Sequence, residues 1–207
     1  MRFIALTSIA LLTACTSAPV ERPVPSDPTD PVSIVAAARQ CNVADFENVD
    51  IPDIGRPEFS GDPSEADRNQ LEGDIYLERT SFQPCVYVMP SGLHFRVLRA
   101  ADDAALTPEG GEYVRVHYDG QSLEGDTFDS SYDRGAPAEF PSDRLIRGWV
   151  EALGHMRTGE EWELFIPADL AYGARGTPGG PIGPNQALYF RMELICLPGR
   201  EDGGCED

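Results

Sequence analysis

An α+β fold is predicted: an antiparallel sheet of several short strands whose apolar face packs on a single short helix, behind a mostly irregular N-terminal extension. Two patterns carry the prediction. Short segments in the C-terminal half alternate apolar and polar residues with period two, as half-buried strands do. In "EYVRVHYDG" (112–120), Val114, Val116 and Tyr118 share one face and Arg115 and His117 the other. In "ALYFRMELICL" (187–197), Leu188, Phe190, Met192 and Leu194 share a face. Between such segments one stretch, "DRLIRGWVEALGHM", repeats at helical spacing through Ile146, Trp149, Val150, Leu153 and Met156. Several strands and a single helix pack as one sheet covering that helix.

From the N-terminus, "MRFIALTSIALLTAC" sets one arginine before an apolar run of about eleven residues, too short to span a bilayer. The run ends at Leu12, Thr13, Ala14 and Cys15, which resembles a bacterial lipoprotein signal. That resemblance implies a signal peptide over 1–14, acylation of Cys15, a membrane attachment through the lipid and a place in the cell envelope facing the periplasm, with the outer membrane favoured by Thr16. Residues 15–32 are rich in Pro, Ser and Thr and read as a tether. An extension over 33–85 holds a short helix in "PVSIVAAARQC", starting after Pro31 with Ser33 available as a cap. Residues 42–75 are acidic, broken by Pro and Gly, and read as irregular. Strands are expected in "DIYLERT", "CVYVMP", "LHFRVLRA" and "EEWELFIPA" besides the two above. The helix around Trp149 is expected to be capped by Ser142 or Asp143 and to end near Gly154. A folded domain over 86–198 and a tail over 199–207 complete the chain.

Charge and cysteines narrow the function. The 207 residues include 35 acidic and 16 basic ones, a formal charge of −19. Nucleic-acid binding needs clustered cations to neutralise phosphates and is excluded. With Cys15 lipidated, Cys41, Cys85, Cys196 and Cys205 remain, an even set that suggests two disulfides in one of three pairings. The flexible spacer "LPGREDGG" favours Cys196–Cys205, and hence Cys41–Cys85. No CxxC pair exists and the histidines at 94, 117 and 155 are scattered, so no metal or other cofactor is expected.

The stretch "FDSSYDRG" (128–135) looks at first like acid–base machinery, with Asp129, Asp133, two serines and Arg134 close together. A serine nucleophile needs a histidine base beside it, and no GxSxG elbow is present. The aspartates lack calcium-loop spacing. Asp and Ser that shape their own loop are the simpler reading.

Taken in order, "SGLHFRVL", "VHYDG", "FDSSYDRG", "LIRGWVEAL", "IPADLAYG" and "ALYFRMELI" resemble the FKBP-type peptidyl-prolyl cis–trans isomerases over roughly residues 91–197. The resemblance implies a half-open antiparallel sheet of five to six strands wrapped on one short helix, and an isomerase acting on X–Pro bonds of exported proteins. Trp149, Phe190, Ile146 and Tyr118 would hold the proline ring, with Phe128 and Ala171 as further walls, Leu145 beside Ile146 at the edge and Ile182 lining the flap. Tyr172 and the Ile146 N–H would orient substrate carbonyls, and Asp129, held by Arg134, would orient polar groups at the mouth. Partners implied are proline-containing unfolded polypeptides and macrolides such as rapamycin. Family members often carry an aromatic where Ala138 stands and a histidine where Thr177 stands, so macrolide affinity is the property most exposed to these departures. Some exported members dimerise through a long N-terminal helix; the Pro and Gly content of residues 16–75 points instead to a monomer. An alternative function is a periplasmic chaperone or binding module with weak or no isomerase activity.

Overall fold

The computed structural model describes residues 21–46, 59 and 61–205. The expected signal segment and the lipidation site Cys15 lie outside the described residues.

The sheet has seven strands, all paired antiparallel: β1 (Tyr87–Val88), β2 (His94–Arg99), β3 (Tyr113–Gln121), β4 (Thr127–Ser130), β5 (Ala138–Pro141), β6 (Glu161–Ile166) and β7 (Leu188–Cys196). The order is β1-β2-β6-β7-β3-β4, and β5 also pairs with β3. One edge of β3 therefore serves two short partners. Phe140 and Ala138 of β5 oppose Val114 and Val116, and Ser130 and Asp129 of β4 oppose Asp119 and Gly120. This raises the strand count above five or six, because four-residue strands are too short to show a period.

The gap between β4 and β5 falls opposite Tyr118 and is closed by a side chain. Fully buried Ser131 accepts the Tyr118 N–H at its hydroxyl (2.7 Å), and its own N–H donates to the Tyr118 carbonyl (2.9 Å). A buried backbone amide needs such a partner.

One face of the sheet is the core. Val114, Val116, Tyr118, Trp162, Leu164, Ile166, Leu188, Phe190, Met192 and Leu194 are buried on it, and helix α3 (Arg147–Leu153) packs there through Trp149, Ala152 and Leu153. Gly148 permits the approach: a Cβ there would stand 2.7 Å from Ile166 Cγ2. Neither Ser142 nor Asp143 caps this helix. Its N-cap is Ile146, with no side-chain cap, while Ser142 is buried and bonds Glu109 and Gly111. Gly154 does end it.

The described N-terminal residues hold more regular structure than their composition suggests. Helix α1 spans Pro31–Gln40 with Pro at its first position and Asp30, not Ser33, as N-cap. Ser33 instead accepts the Asp27 N–H (2.8 Å). The end of the stretch read as a tether is docked: Arg22 donates to the Val86 carbonyl (2.6 Å) and Tyr87 to that of Pro23 (2.7 Å). Ile34, Val35, Ala37 and Ala38 join the main core, so α1 belongs to the same body as the sheet. Arg39 fixes it further through Glu160, which is fully buried and also accepts from the Arg157 N–H and the Trp162 indole. Disulfides join Cys41 to Cys85 and Cys196 to Cys205.

Helix α2 (Glu65–Ser81) overturns two expectations: the irregular reading of 42–75 over its last part, residues 65–75, and the strand in "DIYLERT"; residues 47–58 and 60 lie outside the described residues. Ser64 caps it by accepting the Asp67 N–H and donating to the Asp67 carboxylate. It covers the other face of the sheet, where Leu77 and Tyr76 meet Val86, Phe165 and Tyr189. Elsewhere that face is a lattice of ion pairs, Arg96–Glu163, Arg99–Glu193 and Arg191–Glu161 among them.

Candidate active site

At the open end of the core face lies a cavity of about 430 Å³, lined by Tyr118, Phe128, Asp129, Phe140, Arg144, Leu145, Ile146, Trp149, Tyr172 and Phe190. Each wall has a local cause. Tyr118 and Phe190 are inward positions of β3 and β7, two strands that pair directly. Phe128 and Asp129 come from β4, and Phe140 from β5. Leu145 and Ile146 form the turn into α3, and Trp149 is on its first turn. Tyr172 sits between two 3-10 turns, Ala168–Leu170 and Gly173–Arg175.

The rings meet edge to face, the arrangement their quadrupoles favour. Trp149 lies 5.0 Å from Tyr118 at 80° and 5.1 Å from Phe190 at 81°, and Phe128 meets Phe190 at 5.5 Å and 85°. Gly120 makes this packing possible, since a Cβ there would stand 2.5 Å from Phe190 and 2.9 Å from Phe128. The indole N–H of Trp149 is buried and has no hydrogen-bond partner among the described residues.

The polar side of the cavity is one linked group. The Tyr118 hydroxyl donates to Asp129 Oδ2 (2.7 Å) and accepts from Arg134 Nη2 (2.7 Å). Arg134 also pairs with Asp129 Oδ1 and lies over the Tyr118 ring, 5.2 Å from its centroid. Burial, then the bond to Asp129, pushes the Tyr118 hydroxyl above its usual pKa. Burial, then the Asp129 charge, does the same for Tyr172. Both phenols keep their protons through neutral pH. Tyr172 is 41% exposed, and its hydroxyl makes no hydrogen bond among the described residues. The Ile146 carbonyl accepts the N–H groups of Trp149 and Val150, while the Ile146 N–H itself is likewise unbonded. Both of these donors are thus free at the cavity edge. No nucleophile–base pair is among the lining residues.

Of the eleven residues expected to form the site, eight line this cavity. Arg134 stands behind Asp129 and Tyr118. Ala171 and Ile182 do not line it; both pack into the core beside it. The pairing of Thr177 with Ile182, through Thr177 N–H to the carbonyl (2.9 Å) and Ile182 N–H to the hydroxyl (3.1 Å), closes the loop on itself and leaves Ile182 buried. Thr177 therefore serves its own loop. Phe140, Arg144 and Gly120 were missed. Phe140 follows Ala138 by two along β5 and supplies an aromatic wall where Ala138 is too small. A glycine inside a period-two strand marks a close approach and could have flagged Gly120.

Residues 105–195 match the family model for FKBP-type peptidyl-prolyl cis–trans isomerases. The outer membrane protein MIP of Legionella longbeachae is 43% identical over 132 residues, 64% of this chain and 55% of that protein. The FKBP-type 22 kDa peptidyl-prolyl cis–trans isomerase of Escherichia coli is 47% identical over 124 residues, 60% of this chain and 59% of that one. The chain thus spans little more than half the length of these curated relatives. A crystal structure of a peptidyl-prolyl cis–trans isomerase from Pseudomonas syringae superposes with a TM-score of 0.59 at 31% identity, covering 66% of this chain and 98% of that one. The chain belongs to the FKBP-type peptidyl-prolyl cis–trans isomerase family.

Proposed function

We propose that the protein catalyses cis–trans isomerisation of X–Pro bonds in exported polypeptides. The observation that carries the reading is a largely aromatic cavity of about 430 Å³, floored by Trp149 and walled by Tyr118, Phe128, Phe140 and Phe190, with the Tyr172 hydroxyl and the Ile146 N–H free at its edge. Amide resonance sets the barrier to rotation at about 18–20 kcal/mol. Twisting the bond breaks that resonance and leaves a less polar carbonyl. A dry aromatic site disfavours the polar planar amide relative to the twisted one, which is differential binding of the transition state. Burial of the proline ring holds the substrate, at about 25 cal/mol per Å² of apolar surface. The free Tyr172 hydroxyl and Ile146 N–H donate to the flanking carbonyls and fix their orientation. Asp129 and Arg134 hold the Tyr118 hydroxyl, which keeps that wall in place. No proton moves and no covalent bond to the protein forms.

Export and lipid attachment at Cys15 belong to the same reading, supported by the signal-like start and by one relative named as an outer membrane protein. Action as a monomer, and binding of macrolides in the same cavity, are further parts of it. The test is the isomerisation rate of an Ala–Pro peptide with the protein and its Asp129→Ala variant. Acceleration that falls several-fold in the variant supports the site; equal rates in both would refute its assignment.

A further inference from the structure

The chain contains no lysine, so its 16 basic residues are all arginines set against 35 acidic ones. Nearly all of the described arginines are engaged. Arg39, Arg96, Arg99, Arg115, Arg134 and Arg191, for example, each hold a carboxylate. The exceptions are Arg175, which does not line the cavity, and Arg144, which does. The Arg144 guanidinium makes no hydrogen bond, ion pair or ring contact among the described residues, although the chain holds 35 acidic residues against 16 basic ones. Its backbone N–H is tied to the Pro141 carbonyl (3.2 Å), so the turn that carries it is fixed. It is exposed and lines the active-site cavity next to Leu145 and Ile146. Only one other charged side chain lines that cavity, Asp129, and Arg134 already neutralises it. The cavity mouth therefore carries one uncompensated charge, and it is positive, on a molecule of net charge −19.

We propose that Arg144 is a specificity-determining residue that selects substrates with an acidic residue beside the proline. This inference rests on the isomerase reading of the same cavity. A proline seated over Trp149 brings its neighbouring residues to the cavity rim, because the chain continues outward on both sides of the ring. A guanidinium offers a substrate carboxylate two parallel N–H donors, whereas a substrate ammonium group would meet only a like charge there. An exposed pair of this kind is modest, equivalent to about a two- to fivefold preference. The acidic surface opposes acidic peptides at long range, but at about 0.15 M salt the screening length is only ~8 Å, so the local contact dominates.

The test compares kcat/KM for isosteric peptide pairs, Glu–Pro against Gln–Pro and Pro–Glu against Pro–Gln, at physiological ionic strength. The wild-type protein is expected to prefer the Glu member of at least one pair about threefold, mainly through KM. In Arg144→Gln that ratio falls to about one, and in Arg144→Glu it inverts. Arg68→Gln removes the same charge from the surface of α2 and keeps the wild-type ratio, so an equal fall there would overturn local recognition in favour of net charge. Acceleration of all four peptides with no Glu preference would overturn the inference and leave the isomerase reading standing. Acceleration of none would overturn both.

Discussion

The two faces of the sheet are built from the same strands, yet they depend on different physics. The inner face is apolar, with aromatic rings packed edge to face around a cavity and α3 behind them. The outer face is held by cross-strand ion pairs and by α2, which buries only Gly73, Leu77 and Thr80. The inner face is where a proline ring would be bound, and a change of shape there would be felt directly. The outer face and the extension hold the scaffold, and changes there should act on stability first. Each prediction below sets one face against the other.

The largest effect is expected from Phe190→Ala. It removes a wall that touches Trp149, Tyr118 and Phe128 together. Isomerase kcat/KM should fall about tenfold or more, which is about 1.4 kcal/mol or more of transition-state binding. Stability should also drop, by about 3 kcal/mol, so the assay is run below the melting point of the variant.

Glu160→Gln tests the opposite case. The carboxylate is fully buried and accepts from Arg39, the Arg157 N–H and the Trp162 indole. Leaving Arg39 without its charge partner should cost about 3 kcal/mol in chemical denaturation, while kcat/KM on an Ala–Pro peptide stays near wild type below the melting point. A loss of activity with unchanged stability would erase the contrast between the two regions.

A smaller effect is expected with pH at the junction of α2 and β2. His94 is buried against Thr80, 3.0 Å from its hydroxyl, and burial lowers its pKa to about 4. In the unfolded chain it takes a proton near the ordinary value of 6.5, and in the fold it resists. The stability this histidine contributes is therefore complete above about pH 6.5 and is lost progressively as the pH falls towards 4. His94→Asn should flatten the slope of melting temperature against pH in that window. An unchanged slope would mean that other groups carry it.

The same contrast explains what the sequence made legible. Val114, Val116 and Tyr118 announce β3 because one side of that strand is apolar and the other polar. The motifs around Phe128, Trp149 and Phe190 place the cavity because their order along the chain is distinctive. Helix α2 hides because its stripe is thin: only Gly73, Leu77 and Thr80 are buried, and Gly73 interrupts the stripe to let Ala187 approach, where a Cβ would stand at 3.1 Å. Its start was nonetheless readable, since Ser64 and Asp67 have capping-box spacing. Phe140 was missed because its place in the wall depends on β5 pairing with β3, a long-range fact. Arg144 could be singled out only once the partners of the other arginines were known.

The central claim is that the aromatic face catalyses rotation about X–Pro bonds. Magnetisation exchange between the cis and trans forms of an Ala–Pro peptide, recorded by NMR with catalytic amounts of protein, measures this without a coupling protease. Uncatalysed exchange takes tens to hundreds of seconds. The account predicts exchange that quickens in proportion to protein concentration, is sharply reduced in Phe190→Ala, and is nearly independent of pH between about 6 and 9, since both cavity phenols titrate above their usual range. Exchange that stays at the uncatalysed rate at every protein concentration would contradict it.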